Sequence, residues 1–214
     1  MFIGHIAVGL AGKRIAPSVS LGTWLASVQL VDLLWPIFLL AGLEHVRIAP
    51  GITPFTPLDF YDYPITHSLV GGLGWAALFA GGWYAARRNT RVAMLLAAGV
   101  LSHWCLDVLS HRPDVPVLPH GPYLGLGLWK SIPATLVVEL LMFATGLWLY
   151  LSSGGNGARR ISFWLLMAFL LVAYFGAAFG PPPPDVRTLA ITALAGWLFV
   201  PWLWWADRTP TRRP

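Results

Sequence analysis

Charge is scarce in this chain. Of its 214 residues only 11% are Asp, Glu, Lys or Arg, where a soluble domain carries roughly 25%. The mean hydropathy is +0.65. Together these exclude a disordered chain and argue against a soluble globular one. Cysteine is nearly absent: Cys105 stands alone, which excludes an intrachain disulfide and a cysteine-based zinc cluster. No secretory signal peptide is expected, because the basic pair Lys13 and Arg14 follows the first apolar stretch instead of preceding it. Basic residues are also missing from the interior of every long apolar run.

What is present is hydrophobic: 57% of the residues. Crossing a bilayer takes about 20 apolar residues, and six stretches qualify, at about 19–43, 65–86, 91–112, 132–152, 160–180 and 187–206. Residues 1–12 are apolar but too short to span, and read as a half-penetrating or interfacial helix. The expected fold is therefore all-α: a polytopic membrane helical bundle of about six transmembrane helices plus a short N-terminal half-helix, forming a single membrane domain over residues 1–214. Gly176 and Gly180 in span five permit close helix packing, so a homo-oligomer through spans five and six is one expectation.

The net charge is +5. In a membrane protein such an excess belongs to loops facing the cytoplasm, so nucleic acid is not an expected partner. Alternate loops hold ten basic residues: Lys13, Arg14, Arg87, Arg88, Arg91, Arg159, Arg160, Arg208, Arg212 and Arg213. The other loops hold four, Arg47, Arg112, Lys130 and Arg187, with the acids Glu44, Asp59, Asp62, Asp114 and Asp185. The positive-inside rule then puts both termini in the cytoplasm. The two long, proline-containing loops, about 44–64 and 113–131, face outward as lids, binding loops or plain bridges.

Three acids remain inside the spans: Asp32, Asp107 and Glu139. An unpaired charge there costs on the order of 2.5–3.5 kcal/mol on insertion scales, and no cationic partner lies at that depth. Histidine does. His103, Asp107 and His111 are spaced i, i+4, i+8 and share a helix face, a pattern suited to zinc or a similar divalent ion. At 1.5 Å per residue His103 lies about 18 Å along its span, Asp32 roughly 16 Å below its outer end and His5 some 12 Å inward of Lys13, so the three converge in depth. His67 and His111 lie nearer the outer surface, where one of them is suited to line an entrance. Glu139 is a general acid or base, a partner of a ligating histidine, or simply protonated. Pro36 is expected to kink span one beside Asp32. Thr66 and Ser68 read as helix-start caps, and Cys105 as packing. His45 and His120 carry no assignment. The ionisable residues suggest a polar cavity opening outward, or sideways to the outer leaflet.

At these residues the sequence resembles a known family, the inner-membrane metal-dependent hydrolases of the LexA-binding membrane hydrolase group. The resemblance is carried by Gly4-His5, Val31-Asp32, Thr66-His67-Ser68-Leu69, and Ser102-His103 with Asp107, and continues through Gly125–Trp129 to Glu139. That family is in turn similar to zinc-dependent phospholipase C. The resemblance implies His5, Asp32, His67, His103 and Asp107 as ligands of a divalent metal, zinc first, with His111 as an additional ligand, and the bacterial inner membrane as location. The chain departs from the family in having one acid in Asp32-Leu-Leu-Trp-Pro36, and Tyr61-Asp62-Tyr63-Pro64-Ile65 where His-Arg-Gly is common. Both differences bear on the number of metals and on the substrate.

The expectation is thus a membrane-embedded hydrolase using a metal-activated water on a phosphoester of a membrane lipid or lipid-linked small molecule, with Glu139 and Asp32 as the catalytic candidates. Three other readings stay open: an ion, proton or metal transporter, a non-catalytic membrane scaffold with a structural metal, and hydrolysis of a lipid amide or ester.

Overall fold

Helices whose starts are fixed by polar side chains organise the chain. The computed structural model describes residues 1–154 and 160–208; Arg159, Arg212 and Arg213, part of the predicted inner charge, lie outside the described residues. The helices are α1 (Ile3–Ile15), α2 (Leu21–Val28), α3 (Leu30–Leu40), α4 (Pro64–His67), α5 (Leu69–Arg87), α6 (Thr90–Ser110), α7 (Ile132–Ser152), α8 (Ile161–Phe179), α9 (Val186–Ala193) and α10 (Gly196–Ala206). Ser20, Ser68, Asn89, Ser131 and Asp185 each accept a backbone N–H two or three residues into the helix that follows, satisfying donors that a helix start leaves open. Ser68 is the cap the sequence predicts.

Five segments are long and apolar enough to cross a membrane: α5, α6, α7, α8 and the α9–α10 pair. α2 and α3 make a sixth when taken together, bent by 55°. The all-α polytopic bundle is therefore present. The expected kink in the first span exists, but its place is Gln29, three residues before Asp32, and Pro36 sits inside a continuing helix. The bend therefore lies seven residues before the proline ring, at the junction of α2 and α3.

α1, the short helix at the start of the chain, is packed inside the bundle. Ile3, His5, Ile6 and Leu10 are buried, and α1 lies in the middle of the bundle against α7, α2 and α6. Gly146 makes this approach possible: a Cβ there would stand 2.4 Å from the Ala7 carbonyl, so only glycine lets the two backbones meet. The main apolar cluster joins α1, α7, α8 and α10 around Leu10, Phe143, Phe163 and Leu170.

The two long loops contain structure the sequence pattern did not suggest. β1 (His45–Ile48) pairs antiparallel with β2 (Leu58–Asp62), with Arg47 opposite Asp59. β3 (Val115–Pro116) pairs with β4 (Tyr123–Leu124). Arg112 bridges the two loops by binding both Asp59 and Asp114, and Arg47 also binds Asp59. Leu126 N donates to Val108 O and Gly127 N to His111 O, each at 2.7 Å. The second loop thereby satisfies carbonyls at the end of α6, which fixes the chain around His111. Cys105 is exposed on the outside of α6 and does not pack in the core.

Candidate metal centre

α6 supplies the floor of the site. His103 and Asp107, one turn apart, face the same way, with His103 Nε2 3.3 Å from Asp107 Oδ2. The bend at Gln29 aims α3 so that Asp32 Oδ1 stands 3.5 Å from His103 Nε2 and 3.3 Å from His67 Nε2. His67 comes from the short α4, and its Nε2 is 3.9 Å from Asp107 Oδ2. α1 brings His5, whose Nε2 is 3.1 Å from Asp107 Oδ1 and whose ring stacks on His103 with centroids 3.6 Å apart. Two overlapping groups of ligand atoms result, His5–His103–Asp107 and Asp32–His67–His103. Five residues from four helices thus form two adjoining groups that share His103. His111 stands at the rim: its Nε2 is 3.8 Å from Asp107 Oδ1, and its Nδ1 donates to Asp114 Oδ1 at 3.0 Å. The Met1 nitrogen donates to Asp107 Oδ1 at 2.7 Å.

Outer partners fix the ring orientations. His103 Nδ1 donates to the Val28 carbonyl at 2.8 Å; a carbonyl can only accept, so in a neutral ring Nε2 carries the lone pair. His67 Nδ1 contacts Thr66 Oγ1 at 2.6 Å. The single hydroxyl proton of Thr66 goes to Glu44 Oε2 at 2.7 Å, and Glu44 Oε1 also accepts Ile65 N and Thr66 N. Thr66 can therefore only accept from His67, and the His67 lone pair is likewise on Nε2. Both Nε2 atoms face carboxylate oxygens. A neutral imidazole turned onto a carboxylate in this way leaves room for a cation between them, whereas a protonated one donates Nε2–H to the oxygen directly; the Met1 ammonium already stands 2.7 Å from Asp107 Oδ1. The donor set of imidazole and carboxylate without sulfur fits a divalent metal of the zinc type.

Glu139 is fully buried. Its Oε2 accepts Phe2 N at 2.9 Å and Gly4 N at 3.1 Å, so it serves as the missing cap of α1, whose Phe2 has no capping side chain. Glu139 Oε1 and His5 Nδ1 are buried with no hydrogen-bond partner among the described residues. Outside the membrane helices, Tyr63 Oη lies 3.3 Å from the Asp114 carbonyl; burial, with the Asp114 carboxylate nearby, holds its phenol well above the ordinary range. Trp129 covers His111, ring centroids 4.1 Å apart.

The sequence model of a family, YdjM inner membrane protein, matches residues 63–182, more than half of the chain. The chain belongs to the YdjM inner membrane protein family. It is a membrane-embedded protein. The YdjM match includes His67, His103, Asp107, His111 and Glu139 and leaves His5 and Asp32 outside it. No curated protein and no solved structure matches the chain.

Sequence reading missed three residues here. Glu44 and Asp114 counted only as outward loop acids, and Thr66 only as a cap; all three orient histidines. The signal was weak, because Glu44 stands more than twenty residues from the threonine it holds. The cavity also differs from expectation: beside Asp32 it is mostly apolar.

Proposed function

We propose that this YdjM-family protein is a metal-dependent hydrolase acting on a phosphoester of a lipid or lipid-linked substrate. The observation that supports it best is the convergence of the Nε2 atoms of His67 and His103, whose Nδ1 atoms are engaged outward, on the carboxylates of Asp32 and Asp107. His5, Asp32, His67, His103 and Asp107 would hold the metal, with His111 at its edge. When bound, a zinc-type ion lowers the pKa of water toward about 7 and polarises a phosphoryl oxygen.

The chain's own residues divide the remaining work. Thr66 with Glu44, the Val28 carbonyl and Asp114 keep the imidazoles of His67, His103 and His111 in place, as outer partners do in metal sites. The Asp32 side chain alone among the five keeps substantial exposure, 35%, and it faces the neighbouring cavity. It is the group placed to take a proton from an entering water. Glu139 holds α1, and through it His5, by the hydrogen bonds of Oε2; this supports a positioning role over proton transfer. The alternating loop charges put both termini in the cytoplasm and the two ribboned loops outside.

The test is metal analysis of the purified protein together with product mass from a panel of lipid phosphoesters. Wild type should carry stoichiometric divalent metal and release phosphate or a phosphorylated headgroup. His103→Ala with Asp107→Ala should lose both. Wild type without metal, or the double variant retaining it, overturns the reading. Metal-dependent ion flux across liposomes without hydrolysis overturns it in favour of transport.

A further inference from the structure

A cavity of about 340 Å³ adjoins the ligand cluster, between α3, α8 and the α9–α10 pair. Phe169, Ala173 and Phe199 line it among other apolar groups, and its polar side chains are Gln29, Asp32 and Thr192. Asp32 belongs to both places: it walls the cavity and stands 3.3 Å from His67. Gln29 sits at the break between α2 and α3, and its Oε1 is enclosed with no hydrogen-bond partner among the described residues. A buried acceptor left open is costly, and a donor on a bound molecule would satisfy it.

The surroundings select the occupant. α8 and α9–α10 are membrane-crossing in length and composition, so the medium beyond these walls is hydrocarbon. Polar solutes gain nothing from an apolar chamber, whereas an alkyl chain exchanges one apolar contact for a denser one. The volume lies near the small end of ligand pockets, roughly 300–1,000 Å³, with room for one chain.

We propose that this cavity seats one hydrocarbon chain of a lipid phosphoester, with the phosphate directed to the metal that Asp32 and its neighbours would hold and a hydroxyl or amide N–H of the linker donating to Gln29 Oε1. The placement of the phosphate rests on the hydrolase reading; the seating of the chain does not.

The experiment uses the full chain in lipid nanodiscs with a single-chain glycerol phosphate carrying a diazirine at the tail end. Irradiation followed by peptide mapping should place the label on α8 and α10. Ala173→Phe fills the cavity and should cut that labelling by about tenfold. Gln29→Leu should weaken labelling by the hydroxyl-bearing probe and leave a deoxy analogue unchanged; an equal effect on both overturns the Gln29 contact. Label spread over the outer faces of α5 and α6 overturns the seating, and the wild-type map decides this even if Ala173→Phe fails to fold. Cavity labelling without hydrolysis leaves the lipid site standing and removes the catalytic reading. Hydrolysis with diffuse labelling does the reverse.

Discussion

At the scale of single residues, His67 depends on a proton whose direction is set elsewhere. Thr66 passes its hydroxyl proton to Glu44 and receives that of His67. Thr66→Val keeps the shape but offers no acceptor, so His67 Nδ1–H loses its partner and the lone pair is no longer fixed toward Asp32. Metal affinity should fall by about 10–100-fold, the usual range for outer partners of metal ligands, while Thr66→Ser should restore it; metal titration of the three proteins checks this. The i, i+4 pair His103–Asp107 was legible because helix geometry alone makes the two neighbours. The Glu44–Thr66–His67 chain was not, because its register comes from the β1–β2 ribbon, and nothing periodic in residues 44–64 announces that ribbon.

At the scale of elements, α1 shows where length misleads. Twelve apolar residues are too few to span, which suggested the surface as one place for them, yet packing against α7 through Gly146 draws this helix into the core. Its N-terminal N–H groups would then be buried without partners, and Glu139 supplies the acceptor. Glu139→Ala should cost about 1–2 kcal/mol, as loss of a strong cap does, and weaken metal binding through His5. Glu139→Gln keeps an oxygen acceptor and should retain most of both. Thermal unfolding in detergent, metal titration and turnover separate the roles: turnover abolished in Glu139→Gln with stability and metal affinity intact would make Glu139 a proton carrier. The five long apolar helices, six with the bent α2–α3 pair, were legible because bilayer thickness sets such lengths. The break in the first span was misplaced: it falls at Gln29, while Pro36 lies within α3.

At the scale of the whole molecule, the charge pattern supports the proposed orientation, and one buried ion pair closes the end of the bundle that this orientation would put inside. The orientation predicts that Arg88→Cys, in a Cys105→Ser background, reacts with an impermeant thiol reagent only from the cytoplasmic side; labelling from outside would reverse the topology. The inner end is held by Asp207. Its carboxylate accepts Lys13 Nζ at 2.5 Å, Leu21 N at 3.1 Å and Tyr150 Oη at 3.1 Å, so the ends of α10, α1 and α7 and the start of α2 meet on one side chain. Lys13 is only 12% exposed. Removing the acid leaves that ammonium nearly buried with the Val19 carbonyl as its remaining acceptor, and breaking a buried pair from one side costs about 3 kcal/mol. His5 lies eight residues from Lys13, about 12 Å along α1, so the metal centre is remote from this clamp. Asp207→Ala should therefore lower the unfolding midpoint in detergent with metal stoichiometry unchanged. Lys13→Met combined with Asp207→Leu should recover part of the loss, because an apolar pair removes the stranded charge. If Asp207→Ala unfolds like wild type, the contact is a solvated one and the inner end is held by apolar packing alone.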